Sequence, residues 1–135
     1  MRPDERFLSH SSVDRDAAST LAGILNEHGV PTFYAPENLL GGQPWQDAIL
    51  AALERCDWFA VLLTPDAITS MWVRRETAFA LNERRYENKT VPLMYRPCEL
   101  GSLKWLRLFQ VLDFQQDFRG GCRDLLRLWG IDLGE

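Results

Sequence analysis

The sequence predicts an α/β protein, with about five parallel strands in one central sheet and helices covering both of its faces. Short apolar runs alternate along the chain with longer stretches whose apolar residues recur at helical spacing. The clearest run, Trp58 to Leu63, is apolar at every position, as a central strand covered on both sides requires. With 135 residues, 46% of them hydrophobic, the chain has material for one ordinary domain and one real core.

Each element follows in order. Phe7-Leu8 is a short apolar run behind a charged leader and ends a buried first strand. Ser9-His10-Ser11-Ser12 breaks that run, and Ser and Asp here can cap the next helix. Ala17, Ala18, Leu21, Ala22 and Leu25 form one apolar helical stripe, which Gly29 ends because glycine tolerates a left-handed backbone. Val30 to Tyr34 is β-branched and aromatic, a strand. Residues 36–44, with two prolines and the adjacent Gly41-Gly42, form a loop that also carries Leu39 and Leu40. Those two leucines need either a tuck into the body or a partner. Trp45, Ala48, Ile49, Ala52 and Leu53 make a second helical stripe. Thr64-Pro65-Asp66 marks the exit of the Trp58–Leu63 strand, and Trp72 to Asn82 is a third helix with Val73, Ala80 and Leu81 facing the core. Thr90 to Tyr95 is a further strand; Pro92 cannot donate to a ladder, so the strand lies near an edge or has an unpaired site there. A last short strand falls around Leu108 to Leu112, and Phe118, Cys122, Leu125, Leu126 and Trp129 line a final helix. No internal repeat, low-complexity tract or linker interrupts this order.

Composition narrows the function. Lys plus Arg is 15 and Asp plus Glu is 19, a formal charge of −4 that supplies no general attraction to nucleic acid. No stretch approaches the roughly 18–20 apolar residues that span a bilayer. The start, Met1 to Arg6, is charged and is not a secretory signal. Cys56, Cys98 and Cys122 are far apart and in no metal-ligand spacing, and they read as reduced thiols of a cytoplasmic protein. His10 and His28 cannot build a multi-histidine metal centre, so no metal is expected.

Open parallel sheets place their sites beyond the carboxyl ends of the strands, which nominates the loops at Ser9-His10-Ser11, 36–44 and 64–71 and the stretch after Tyr95. Within them Glu76 stands out. It lies four residues after Trp72 on the first turns of a helix, so the two share a face, and a carboxylate there feels a favourable field. An aromatic surface beside a carboxylate suits a cationic ring or an oxocarbenium-like centre. The plain alternative from spacing is that Trp72 belongs to the core and Glu76 is a solvated helix residue beside Arg74 and Arg75. Ser9, His10 and Ser11 do not specify a nucleophile triad, and no nucleophile elbow is present. Gly41-Gly42 lacks the lysine and hydroxyl of a phosphate loop and reads as a flexible turn. Arg74-Arg75 and Arg84-Arg85 read as solvated helix faces rather than a nucleic-acid stripe.

Phe7-Leu8-Ser9-His10-Ser11-Ser12-x-Asp14 and, further on, Ser70-x-Trp72-Val73-x-x-Glu76 stand among several boxes whose order resembles the TIR (Toll/interleukin-1 receptor) domain family, in its bacterial NAD-cleaving form. Phe7-Leu8-Ser9-His10-Ser11-Ser12-x-Asp14 is similar to the family's opening box. Val30 through Trp45 resembles its second strand and BB loop, and Trp58 to Pro65 its third strand and exit. Ser70-x-Trp72-Val73-x-x-Glu76 matches the serine–tryptophan–glutamate pattern of enzymatically active members. Thr90 to Tyr95 and Phe109 to Phe114 fit the fourth and fifth strands. The resemblance covers roughly residues 6–130 of a single domain spanning 1–135, consistent with the N-terminal part of a longer protein.

The resemblance implies a flavodoxin-like three-layer sandwich. It implies an NAD glycohydrolase or cyclase, cleaving the nicotinamide–ribose bond to give nicotinamide and ADP-ribose or a cyclic isomer, in bacterial anti-phage defence. NAD is then the substrate and no cofactor is needed. Glu76 falls on the catalytic glutamate, Trp72 helps build its pocket, and Ser9, His10 and Ser11 fall on a substrate-holding loop. Trp45 matches a BB-loop aromatic that contributes to composite sites, while Leu39, Leu40, Gly41 and Gly42 belong to the loop used in TIR–TIR self-association. Many animal members carry tyrosine and arginine where this chain has His10 and Ser11, which bears on substrate grip. A sensor or effector domain is an expected partner. The alternatives are a non-catalytic TIR–TIR interaction module and a virulence factor that interferes with host TIR signalling.

Overall fold

The computed structural model describes residues 5–34 and 45–131. They form a five-stranded, all-parallel sheet of β1 (Arg6–Ser9), β2 (Thr32–Tyr34), β3 (Trp58–Leu63), β4 (Thr90–Met94) and β5 (Leu112–Asp113), in the order β2-β1-β3-β4-β5. The helices are α1 (Arg15–Glu27), α2 (Trp45–Arg55), α3 (Pro65–Thr69), α4 (Met71–Leu81) and α5 (Phe118–Leu128). This is the flavodoxin-like α/β arrangement.

Side chains of β3 alternate between two cores, as the period of two along a strand demands. Phe59, Val61 and Leu63 join Phe7, Ile49, Leu53, Val73 and Tyr86 beneath α2 and α4. Ala60 and Leu62 join Leu8, Leu21, Leu25, Leu93 and Leu125 beneath α1 and α5. Both sets are apolar, so the strand has no polar face to show and its run is continuous. Each fully buried leucine contributes about 2 kcal/mol relative to an exposed one.

Two helices end as glycine dictates. Gly29 adopts φ +80°, its N–H meets Asn26 O at 3.0 Å and the Val30 N–H meets Leu25 O at 2.9 Å. Gly130, with φ +71°, repeats the pattern through Arg127 O and Leu126 O after α5. Both are Schellman closures that satisfy the last carbonyls of the helix.

Several boundaries differ from expectation. The strand expected around Leu108 to Leu112 is β5 at Leu112–Asp113; Gly101–Leu108 forms 3-10 turns instead. Leu103 and Leu106 point into the core while Trp105 and Leu108 are exposed, a helical rather than an alternating pattern. Strand β4 is not an edge, since β3 and β5 flank it. Pro92 is tolerated because pairing with β5 begins only at Leu93–Leu112. Met94 O accepts the Phe114 N–H, so Pro92, two residues earlier, faces the same side, before that ladder starts. Thr64-Pro65-Asp66 not only ends β3 but opens α3, with the Thr64 hydroxyl accepting the Ala67 N–H at 3.0 Å and Pro65 in the first turn.

Among the described residues, no helix is long and apolar enough to cross a membrane. All three cysteines are free thiols, and burial raises Cys56 to about 12 and Cys122 to about 11.

Candidate active site

The strand order reverses between β1 and β3, the two strands from which the chain winds outward in opposite directions. Sites in open parallel sheets form in the crevice at such a switch, beyond the carboxyl ends. Ser9 is the last residue of β1 and pairs with Val61 of β3, so it stands at that position.

Glu76 reaches it from α4. Ser70 opens that helix in extended conformation, and its hydroxyl accepts the Val73 N–H at 3.3 Å. Val73, Glu76, Thr77 and Ala80 then follow at helical spacing as the buried stripe of α4. A carboxylate thus occupies a core position. Glu76 is 4% exposed, so the solvated alternative for this residue does not hold. The Ser9 hydroxyl donates to Glu76 Oε1 at 2.6 Å, a short bond of the kind hydroxyls make to carboxylates. Burial pushes Glu76 up from 4.5 to about 7, and the Ser9 hydrogen bond pulls in the opposite direction. The result is a carboxyl group that gains or loses its proton near neutrality, the range in which such groups do chemistry.

A second buried network fixes the neighbouring loops. Asp14 is 4% exposed and its Oδ2 accepts from Ser11 Oγ at 2.8 Å and from Thr64 Oγ1 at 2.5 Å. This joins the loop after β1 to the loop after β3. His10 sits between the two networks. Its Nδ1 lies 2.8 Å from Ser11 O, and a carbonyl only accepts, so Nδ1 is the donor, and in the neutral imidazole Nε2 is then an acceptor. That Nε2 is buried with no hydrogen-bond partner among the described residues, and the imidazole tilts against the Tyr34 ring with centroids 6.0 Å apart.

The structure therefore brings Ser9, His10 and Ser11 to one end of the sheet and puts Glu76 against Ser9. Trp72 is half-buried, and the Arg75 guanidinium lies 5.2 Å from its ring centroid. Trp45 is the first residue of α2, but its side chain lies outside the described residues, as do Leu39, Leu40, Gly41 and Gly42. Sequence reasoning did not place Asp14 and Thr64 in the site. Asp14 was legible as part of the opening box, but its link to a threonine fifty residues away belongs to the folded chain.

Comparison with known proteins agrees with this architecture. The TIR domain family model matches residues 7–126, and the chain belongs to that family. No curated protein matches it in sequence. Among solved structures, it resembles the TIR domain of the Toll-related receptor TRR-2 from Hydra magnipapillata at 24% identity, with a TM-score of 0.73 over 90% of this chain and 94% of that one. The TIR domains of the activated Roq1 resistosome, which directly recognizes the pathogen effector XopQ, superpose with a TM-score of 0.74 at 16% identity, covering 93% of this chain and 99% of that one. A metazoan TIR-STING receptor from C. gigas, in complex with 2',3'-cGAMP, gives 0.74 at 21% identity over 90% of this chain and 38% of that one. At these identities the likeness is one of fold.

Proposed function

We propose that this TIR domain cleaves NAD at the nicotinamide–ribose bond, with Glu76 as the catalytic carboxylate, in the manner of bacterial defence enzymes. The observation that carries the reading is the pairing of a buried glutamate with the Ser9 hydroxyl at the switch point of the sheet. A carboxylate at a core position is expensive, and its retention there is accounted for by chemistry that needs a low-dielectric negative charge.

In this mechanism the C–N bond breaks heterolytically and its electron pair goes to the nicotinamide ring, which leaves neutral. The ribosyl carbon becomes an oxocarbenium-like cation. Ionised Glu76 stabilises that cation, and the Ser9 hydroxyl keeps the carboxylate aimed. Water adding to the ribosyl carbon and losing a proton gives ADP-ribose; an internal nucleophile gives a cyclic isomer. The buried Nε2 of His10 is an acceptor for a donor group of the bound nucleotide. Self-association is part of the reading, so specific activity rises with protein concentration. Leu39→Ala and Leu40→Ala lower activity more than they lower stability.

The test is mass-resolved product analysis after concentrated protein meets NAD. Nicotinamide together with ADP-ribose or its cyclic isomer supports the reading. Absence of both, under conditions in which the protein is shown to assemble, overturns it. One observation favours a second reading, a non-catalytic TIR–TIR interaction module. Glu76 is 4% exposed and already engaged by Ser9, an arrangement a purely structural pair would also adopt.

A further inference from the structure

Away from the Ser9–Glu76 pair, α4 turns a different face toward the 3-10 segment Gly101–Leu108. Arg74, Thr77, Ala78 and Leu81 lie three, four and seven residues apart and share that face. Between them and Trp105, Leu108 and Phe109 runs a groove of about 600 Å³, within the size range of small-molecule sites.

The groove combines features of a built site. Its walls are largely apolar, and Trp105 and Leu108 stay 59% and 76% exposed although large apolar groups favour burial. Thr77 lines it with a buried hydroxyl that has no partner among the described residues. A helical threonine ordinarily bonds back to the carbonyl four residues earlier, so an unpaired buried one calls for a partner. The charge is one-sided. Arg74 lines the groove and Lys104 and Arg107 flank Trp105 and Leu108 in the 3-10 segment; among the described residues no acidic side chain lines it, and Glu83 and Glu87 line the adjoining hollow beyond Leu81 and Phe109.

We propose that the groove between α4 and Gly101–Leu108 binds a small aromatic carboxylate. The ring packs on Trp105 and Leu108, and the carboxylate pairs with Arg74. The site is separate from Glu76 and does not depend on the NAD reading, although one helix carries both.

The test is an NMR titration of the 15N-labelled protein with 1-naphthaleneacetate, and with 1-naphthaleneacetamide as its neutral counterpart. The acid is expected to shift the Thr77, Ala78 and Leu81 amides and the Trp105 indole, with Kd from high micromolar to about millimolar, as suits about fourteen heavy atoms. The amide, and the acid with Arg74→Glu, are expected to bind about two- to fivefold more weakly, the size of a lost ion pair at an exposed arginine. Trp105→Ala alters an exposed residue, so it leaves folding intact while abolishing the shifts. Equal binding of acid and amide, or no shifts up to about 10 mM, an order of magnitude above the expected Kd, overturns the proposal. So does the same set of shifts on raising protein concentration alone, which would make the groove a contact between copies of this chain.

Discussion

Replacing Glu76 with glutamine is expected to make the protein more stable, and only above mildly acidic pH. The buried carboxyl is raised from 4.5 to about 7 in the folded state by desolvation, with Ser9 opposing. Below about pH 4.5 the group is protonated in both folded and unfolded chains, and its contribution is fully present. As pH rises toward 7 the unfolded chain releases the proton and the folded chain keeps it, so stability falls. The interval spans about 2.5 pH units, and at about 1.4 kcal/mol per unit the loss reaches about 3 kcal/mol by pH 7.5. Glutamine has the shape of the protonated acid and can still accept from the Ser9 hydroxyl. It therefore avoids the loss. For a domain of this size about 3 kcal/mol corresponds to roughly 10 °C in melting temperature. Urea and thermal melts of both proteins from pH 4.5 to 8 measure the difference. Glu76→Gln should match the parent at the acidic end and exceed it progressively toward pH 8. A difference that does not change with pH, or a variant less stable at pH 8, would refute the argument that burial dominates the glutamate. Such a gain is what the proposed role of Glu76 implies, since a group kept for chemistry is held at a cost to folding.

Other outcomes follow from the same structure. Ser9→Ala removes the hydrogen bond that lowers the Glu76 pKa, so the rising limb of nicotinamide release against pH should move to higher pH. An unmoved limb would separate Ser9 from Glu76. Asp14→Ala leaves the buried Ser11 and Thr64 hydroxyls without their acceptor and should lower stability by about 3 kcal/mol in urea denaturation. A cost under about 0.5 kcal/mol, typical of surface substitutions, would mean the network is not structural. Gly121→Ala places a Cβ 2.5 Å from Phe114 Cγ, and the overpacking should cost about 1–3 kcal/mol, read by the same denaturation.

How far the sequence exposed all this depends on whether a feature is local. The strand β3 was legible because six consecutive apolar residues have one economical place, the middle of a covered sheet. The end of α1 was legible because Gly29 marks a left-handed closure with its own local hydrogen bonds. The fifth strand lies within the family box at Phe109 to Phe114, but the apolar pattern put it too early, because only two residues pair in β5, too few to set a period, and the apolar residues before it obey a helical one. Glu76 was legible as a residue of interest but not as a buried one. Its spacing from Trp72 competes with its spacing from Val73 and Ala80, and only the packing of α4 decides which face turns inward. The bond to Ser9 closes across 67 residues and leaves no trace in either local pattern.

Whether Glu76 acts on NAD is decided by comparing the parent with a variant that keeps the fold and loses only the carboxylate. Nicotinamide release is followed at pH 8 with the parent and with Glu76→Gln, at matched assembly and with the folding of both established by the melts. Release by the parent that vanishes in the better-folded variant is the predicted result. Equal release by the two proteins would contradict the claim, and release by neither would leave the chain as a TIR module that works by binding.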